Sequence, residues 1–183
     1  MSLTDAARPE AASRPAPARE ALLEVTDLSV RFGAATAVSS VSFRVGKGEV
    51  FGVVGESGAG KSATARAIIG LLPPTAQIGG SVRYKGEELV GAPKNRLRRA
   101  RGSEIGYVFQ DALTALDPVR TIGAQLVEVL RVHRRISARE AREIASDLLS
   151  ELRINDPART LDAYPHQLSG GMRQRAVIAA ALI

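Results

Sequence analysis

Apolar and polar residues alternate in the first half of this chain, in the way that strands with one buried face require. Residues 22–32 and 41–45 show partial alternation of this kind. The run 50–55, VFGVVG, is apolar throughout, which predicts a strand buried on both faces. Residues 81–86 and 105–110 predict two further strands. The first half is therefore expected to contain a sheet.

Helical periodicity dominates from about residue 112 to residue 168. Apolar residues fall on one helical face, first at Ile122, Leu126, Val129 and Leu130, then at Ile144, Leu148, Leu149 and Leu152. The second of these helices opens at SARE, 137–140, which has the spacing of a capping box. In the first half, a helix is predicted at 61–72, stopped by Pro73 and Pro74, and a short basic helix at 92–102. The pattern predicts an α/β fold in which a strand-rich part carries an inserted helical lobe.

Composition places the chain among soluble globular proteins. It has 183 residues, 45% apolar and 24% charged, and no cysteine. No apolar run approaches the roughly 20 residues of a membrane span. The first 20 residues are rich in alanine, proline and arginine and predict a disordered tail.

The net charge is +6, and the basic residues cluster at 94–101, 131–135 and 173–175. Nucleic acid or a membrane surface would explain these patches, and so would an arginine-rich surface exposed to water. Aromatic residues make up only 4% of the chain, few for a protein that stacks on bases. We favour the solvated surface.

The stretch GESGAGKS, residues 55–62, has the spacing G-x-x-x-x-G-K-S between a predicted buried strand and a helix. Its glycines permit close approach of phosphate oxygens to backbone N–H groups, and the helix directs the positive end of its dipole to the same place. Lys61 can reach the β- and γ-phosphates, and Ser62 can ligate Mg²⁺. The alternative is a tight strand-to-helix turn, but the full pattern with a strand before it and a helix after it favours a nucleotide-phosphate site.

Two further features follow along the chain. Within LSGGM, residues 168–172, Ser169 is a good helix N-cap, and the two glycines after it leave the first helical turn without side chains. Alone it is also compatible with an ordinary capped helix. Gln110 ends the last predicted strand, where a polar residue is usually just part of a loop.

Taken in order, the phosphate loop, the glutamine, the helical lobe and LSGG resemble the nucleotide-binding subunits of ATP-binding cassette (ABC) transporters, from about residue 21 onwards. The resemblance implies a P-loop NTPase of the ABC type, with an N-terminal antiparallel β part and an incomplete core. Its segments would be a tail at 1–20, the nucleotide-binding core at 21–110, the helical lobe at 111–168, and the signature segment at 169–183.

The resemblance also assigns roles to residues. The signature motif, which binds ATP held by the other subunit of a head-to-tail dimer, corresponds to Leu168, Ser169, Gly170, Gly171 and Met172, although the family usually has glutamine at the last position. Gln110 would approach the metal and the attacking water, so that Ser62 and Gln110 are the expected Mg²⁺ residues. The expected contacts to ATP are Phe32, Gly55, Glu56, Ser57, Gly58, Ala59, Gly60, Lys61 and Ser62. Phe32 would stack on adenine, or else is a core residue.

The segments FQDALTALDP and YPHQLSGGMRQR resemble in particular the oligopeptide, dipeptide and nickel importer branch. That branch implies an ATPase on the cytoplasmic face of the inner membrane, with ATP and Mg²⁺ as cofactors. Its partners would be two permease subunits, a second ATP-binding subunit, identical or different, and indirectly an extracytoplasmic binding protein. Nucleic acid is not expected as a partner.

One family feature is missing from these residues. The chain contains no Asp-Glu dipeptide, which in the family ends the Walker B strand, and neither His133 nor His166 matches the switch histidine. We therefore expect a truncated cassette that is inactive alone. Two alternatives remain: a non-transport ABC ATPase acting on nucleic acid or the ribosome, and a non-catalytic nucleotide-binding fragment.

Overall fold

A computed structural model describes residues 21–110 and 115–183. The tail expected at 1–20 and the first residues of the expected helical lobe, 111–114, lie outside the described residues. The chain divides into two compact units between Pro93 and Lys94.

The first unit is built on an antiparallel sheet. Four strands occur in the spatial order β2-β1-β3-β4, namely β1 (Ala21–Phe32), β2 (Ala35–Gly46), β3 (Ala76–Tyr84) and β4 (Glu87–Glu88). The alternation seen in the sequence turns Val25, Val30 and Val82 to the buried side. The N-terminal antiparallel part of the expected fold is confirmed.

A bulge interrupts the pairing of β1 near Asp27. The backbone of Asp27 is left-handed, with φ of 49°, and its carboxylate accepts a hydrogen bond from the Ser40 hydroxyl at 3.0 Å. Gly80 on β3 lies so close that an added Cβ would stand 2.4 Å from the Asp27 carbonyl oxygen. Only glycine fits there, because a Cβ would collide with this carbonyl and because the φ of 86° is unfavourable for other residues.

The hairpin of β3 and β4 is held by the carboxylate of Glu88. That carboxylate accepts hydrogen bonds from the Ser81 hydroxyl and from the N–H groups of Val82, Leu89 and Val90, the last three at 2.9 to 3.1 Å. Partial burial raises the pKa of Glu88, but these hydrogen bonds favour the charged form and lower the pKa below its ordinary value.

Glu88→Gln is therefore expected to lower the free energy of unfolding by about 1 kcal/mol at pH 7, a figure reduced because the side chain is 40% exposed. A lowered pKa gives stability that is present above the unfolded-state value and lost as the pH falls through the folded-state value. Urea midpoints of wild type and variant should hence converge as the pH falls through the lowered pKa of Glu88. Glu151→Gln, an exposed change on a helix of the second unit, should have little effect at either pH. A difference that persists unchanged in acid would contradict this role for Glu88.

One helix of the first unit follows the glycine-rich loop. This helix, α1, spans Lys61–Ile68 and is shorter than the predicted 61–72. Gly70, with φ of 63°, ends it, since Leu71 donates to the Arg66 carbonyl and Gly70 to that of Ala67. This is the Schellman pattern. The prediction that the prolines stop the helix was wrong because Gly70 stops it first.

The second unit is helical. It contains α2 (Lys94–Arg99), a π-helical turn (Ala100–Glu104), α3 (Ile122–His133), α4 (Ala138–Glu151), α5 (Pro157–Asp162), a 3₁₀ turn (Pro165–Gln167) and α6 (Gly170–Leu182). The residues predicted on the two apolar faces lie in or against its core, except Val129. The most buried large side chains of this unit are Ile122, Leu126, Leu130, Leu149 and Leu161.

Side-chain caps fix where these helices begin. Thr121, Ser137, Asp156 and Ser169 each accept a hydrogen bond from the N–H three residues later, at 3.1 to 3.3 Å. The start predicted from SARE is confirmed at Ser137. None of the described helices combines the length and the hydropathy of a membrane span.

Two predicted strands are not strands in the structure. Residues 50–55 pair with none of the four strands, and Val50 and Val54 are 99% and 96% exposed. Residues 105–109 lie as irregular chain against α6, where Gly106 meets the Ala181 carbonyl. A continuous apolar run becomes a buried strand only when neighbouring strands flank it. The described residues supply none beside either run.

Candidate functional site

The glycine-rich loop forms an open turn that leads into α1. Gly60 is the residue before the helix and has a left-handed backbone, with φ of 83°. A Cβ at Gly60 would stand 2.3 Å from the Ala37 carbonyl oxygen of β2. Gly60 is therefore required both by its own backbone angle and by its neighbour, and it sets the first turn of α1 directly against the sheet.

The N-terminus of α1 is equipped for an anion. Its first N–H groups have no partner within the helix, and the helix dipole adds positive potential at the same end. The first turn contains no acidic residue, and the loop residues 55–59 and the side chain of Ser62 are exposed. The loop that the sequence predicted to hold phosphate is thus accessible.

The Lys61 side chain folds back over this loop. Its Nζ donates to the carbonyl oxygens of Gly55 and Glu56 at 2.7 and 2.6 Å. The ammonium group therefore already lies over the turn, held by neutral acceptors that a phosphate oxygen would outcompete, because hydrogen bonds between ions are stronger than those to neutral groups.

Thr64, two residues after Ser62, is a residue that the sequence reasoning did not single out. It is buried, and both its N–H and its hydroxyl donate to the Gly60 carbonyl, at 2.8 and 3.0 Å. These two hydrogen bonds to one carbonyl oxygen fix the left-handed turn at Gly60. Its position one helical turn after Lys61 is the only signal in the sequence.

Phe32 ends β1, opposite Ala35 of β2 and Ala76 of β3, and is half-buried. It is not among the fully buried residues of the core. A partly exposed ring at a strand end is free to offer one face to a planar ligand.

Phe32→Ala is expected to weaken ATP binding by about 1–3 kcal/mol, the scale of base–aromatic stacking. Binding of inorganic triphosphate should be almost unchanged, because that ligand has no base. Titrating both ligands against wild type and variant checks this. Equal losses for the two ligands would show that Phe32 supports the fold instead.

The LSGGM segment forms the start of α6. The Ser169 hydroxyl accepts from the Met172 N–H at 3.3 Å and so caps the helix as the sequence predicted. Gly170 and Gly171 are exposed, and an added Cβ at either would meet no described atom within 4 Å. Packing among the described residues gives no reason for two glycines in a first turn, which favours a role in contact with another molecule.

Two arginines of α6, which sequence analysis noted only as charge, hold the signature segment. Arg173 donates from Nε to the Leu168 carbonyl at 3.0 Å, and Arg175 donates from Nη1 to the Arg153 carbonyl at 2.6 Å. The first bond ties α6 to the residue before its cap. The second ties it to the end of α4. Spacing alone could not reveal either contact, since both acceptors are backbone oxygens.

Gln110 is exposed and lies in a bend just before residues 111–114. It belongs to the second unit, as does the signature segment, while the phosphate loop and Phe32 belong to the first. No cluster of three or more potential metal-binding carboxylate or imidazole side chains occurs in the described ranges. The roles expected for Gln110 and for Ser62 toward a metal stay predictions.

A family model and several known proteins match most of this chain. The ABC transporter family model matches residues 38–183. The chain belongs to this family. The ABC chain is 52% identical over 166 residues to the oligopeptide transport ATP-binding protein OppD of Mycobacterium bovis, covering 88% of itself and 27% of that protein. It is 46% identical over 172 residues to the probable peptide ABC transporter ATP-binding protein y4tR of Sinorhizobium fredii, covering 91% and 51%.

A solved ABC structure shares the fold. The dimeric ATP-binding cassette MJ0796, in a post-hydrolysis state bound to ADP and Pi, superposes with a TM-score of 0.76 at 28% identity, covering 87% of this ABC chain and 68% of its own. The expected ABC ATPase fold is thereby confirmed. The chain spans about a quarter to a half of the curated relatives' length.

Proposed function

We propose that this chain is the ATP-binding part of an ABC importer for peptides. The observation that carries the proposal is the pair of glycine-containing helix N-termini, at Gly60–Lys61 of α1 and at Ser169–Gly171 of α6. Each suits a phosphate, and a chain needs two only if it serves two nucleotides. The peptide-transport names of its relatives support the choice of cargo class.

The residues of the loop fit a nucleoside triphosphate with Mg²⁺. The N–H groups at the start of α1 would hold the β-phosphate, and Lys61 would move from the Gly55 and Glu56 carbonyls to the β- and γ-phosphates. Ser62 and Gln110 would ligate the metal, which neutralises charge on the phosphates when bound. Gly55, Glu56, Ser57, Gly58 and Ala59 would surround the phosphates, and Phe32 the base.

The second helix start would act on another subunit's nucleotide. Ser169 and the N–H groups of Gly170 and Gly171 would meet the γ-phosphate held by the partner subunit's phosphate loop. Leu168 is buried and anchors the segment, while Met172, half-buried, cannot donate a hydrogen bond as the usual glutamine would. We propose that residues 1–183 alone bind nucleotide without hydrolysing it, since they contain no Asp-Glu pair.

In this function the protein associates peripherally with the cytoplasmic face of the inner membrane through two permease subunits, which serve an extracytoplasmic binding protein. The ATP-binding subunits form a pair, identical or different. No specific observation favours the alternative of a nucleic-acid-stimulated ATPase.

Phosphate release by the intact protein tests the proposal. We expect it to rise severalfold when the reconstituted permease and peptide-loaded binding protein are present, and not when DNA or RNA is added. Lys61→Ala should abolish the rise. Stimulation by nucleic acid with no response to the permease would overturn the transport function.

A further inference from the structure

A cavity of about 590 Å³ lies in the second unit beside the signature segment. The ends of α4, α5 and α6 surround it. Three arginines line it, Arg153, Arg159 and Arg175, and its wall also includes Met172 of the signature motif. This volume is in the range of small-molecule sites. Neither the phosphate loop nor Gln110 contributes to it.

Two aspartates, Asp156 and Asp162, also line the cavity, and the carboxylate of each accepts a hydrogen bond. The Asp156 carboxylate accepts from the Arg159 N–H at 3.1 Å and caps α5. The Asp162 carboxylate accepts from Arg142 Nη2 at 2.8 Å. Arg142 balances the charge of Asp162, whereas the backbone N–H that bonds Asp156 carries no net charge. Three arginines therefore face one unbalanced carboxylate, and the cavity keeps an excess of positive charge.

Arg153 occupies an unfavourable backbone position. The end of α4 is a Schellman motif, in which Ile154 donates to the Leu149 carbonyl and Arg153 to that of Ser150. Arg153 is the left-handed residue of the motif, with φ of 59°. Glycine is the usual residue there, and α1 ends in the same motif with Gly70. An arginine in this place adds strain to the backbone, and strain of this kind is retained most often at functional sites.

We propose that this cavity binds a small phosphorylated anion carrying two or more negative charges, at a site separate from the nucleotide of the phosphate loop. Guanidinium groups are the side chains best matched to phosphate oxygens, because they donate paired hydrogen bonds and stay charged. Arg175 connects the site to the signature helix, since its Nη1 is bonded to the Arg153 carbonyl at 2.6 Å. An anion held between these two side chains would join the end of α4 to α6.

The substitution Arg153→Gly separates binding from folding. Glycine keeps the backbone carbonyl that accepts from Arg175 and relieves the left-handed strain, so the variant should unfold at the same or a higher temperature than wild type. It removes one guanidinium from the cavity. Loss of one charged hydrogen-bonding partner should weaken anion binding about 10-fold or more.

Calorimetric titration of the intact protein with pyrophosphate measures the affinity of the cavity for the anion. All variants carry Lys61→Ala, so that the phosphate loop contributes little. We expect saturable pyrophosphate binding in that background. Binding should be at least about 10-fold weaker after Arg153→Gly. It should be unchanged after Arg98→Ala, which removes the same charge from exposed α2.

A second experiment measures binding to vesicles with and without phosphatidylglycerol. If Arg153→Gly abolishes binding to the anionic vesicles alone, the phosphoryl group belongs to a lipid headgroup rather than a free anion, and the separate soluble ligand is refuted.

Two other results would overturn the site itself. One is that the Lys61→Ala protein shows no saturable binding of pyrophosphate and does not bind the anionic vesicles either. The other is an equal loss of binding from Arg98→Ala and Arg153→Gly, which would mean that overall charge and not the cavity attracts the anion.

Discussion

Replacing Lys61 by alanine is expected to weaken Mg·ATP binding by the intact protein about 10- to 150-fold, the equivalent of 1.5–3 kcal/mol for a charged hydrogen-bonding group. In the structure its ammonium group lies over the phosphate loop, 2.7 and 2.6 Å from two loop carbonyls. A short movement would bring it to the phosphates. Both ATP and ADP should bind more weakly to the variant, because both have the β-phosphate. The loss of affinity should be larger for ATP, because only ATP also has the γ-phosphate.

Equilibrium titration with a fluorescent ATP analogue measures the affinity. Lys47→Ala is the matched control, because Lys47 is an exposed lysine in the turn after β2 of the same unit. Its affinity should stay within about twofold of wild type, since exposed charges are largely screened by salt. If Lys61→Ala binds as tightly as Lys47→Ala, the loop 55–62 is not the nucleotide site.

The sequence predicted best where local chemistry decides the structure. The glycine spacing predicted the loop and the start of α1, where a Cβ at Gly60 would strike the Ala37 carbonyl. Cap residues predicted the starts of α4 and α6 at Ser137 and Ser169. Apolar periodicity predicted the buried faces of α3 and α4. Each of these signals acts within a few residues, so that tertiary packing does not override it.

Prediction failed where the outcome depends on distant neighbours. Residues 50–55 read as a buried strand, but burial requires flanking strands, and none of the described ones pairs with this run. Helix α1 ends at Gly70, before the prolines, because the Schellman hydrogen bonds of Gly70 and Leu71 close it first. The contacts of Arg175 and Arg173 were invisible because their acceptors are backbone oxygens, which carry no sequence signature.

We infer that the phosphate loop and the signature segment serve different nucleotides across a dimer. Two observations motivate it. Lys61 and its exposed loop lie at one helix N-terminus in the first unit, and Ser169 with two glycines lies at another in the second unit. Gly170 and Gly171 leave open space that no described side chain fills. In a self-contained NTPase, Ser169 would act only on the nucleotide of its own loop.

If the signature segment acts on the nucleotide of the other subunit, the ATPase activity of a mixed dimer depends on which chain carries each substitution. Ser169→Arg and Lys61→Ala subunits should each be inactive as homodimers, since every site then has one defect. A mixed dimer of the two single variants has one site with both defects and one with none. A dimer of wild type with the double variant has one defect in each site. The two mixed dimers contain the same substitutions and differ only in how these are distributed between the chains.

Phosphate release from these dimers, co-purified through different tags and reconstituted with the permease, tests the claim directly. We expect the dimer of the two single variants to regain a measurable part of wild-type activity, while the dimer of wild type with the double variant stays inactive. The reverse result, with the single-variant dimer as inactive as its parents and the wild-type/double-variant dimer active, would show that Ser169 acts on its own chain's nucleotide and would contradict the account.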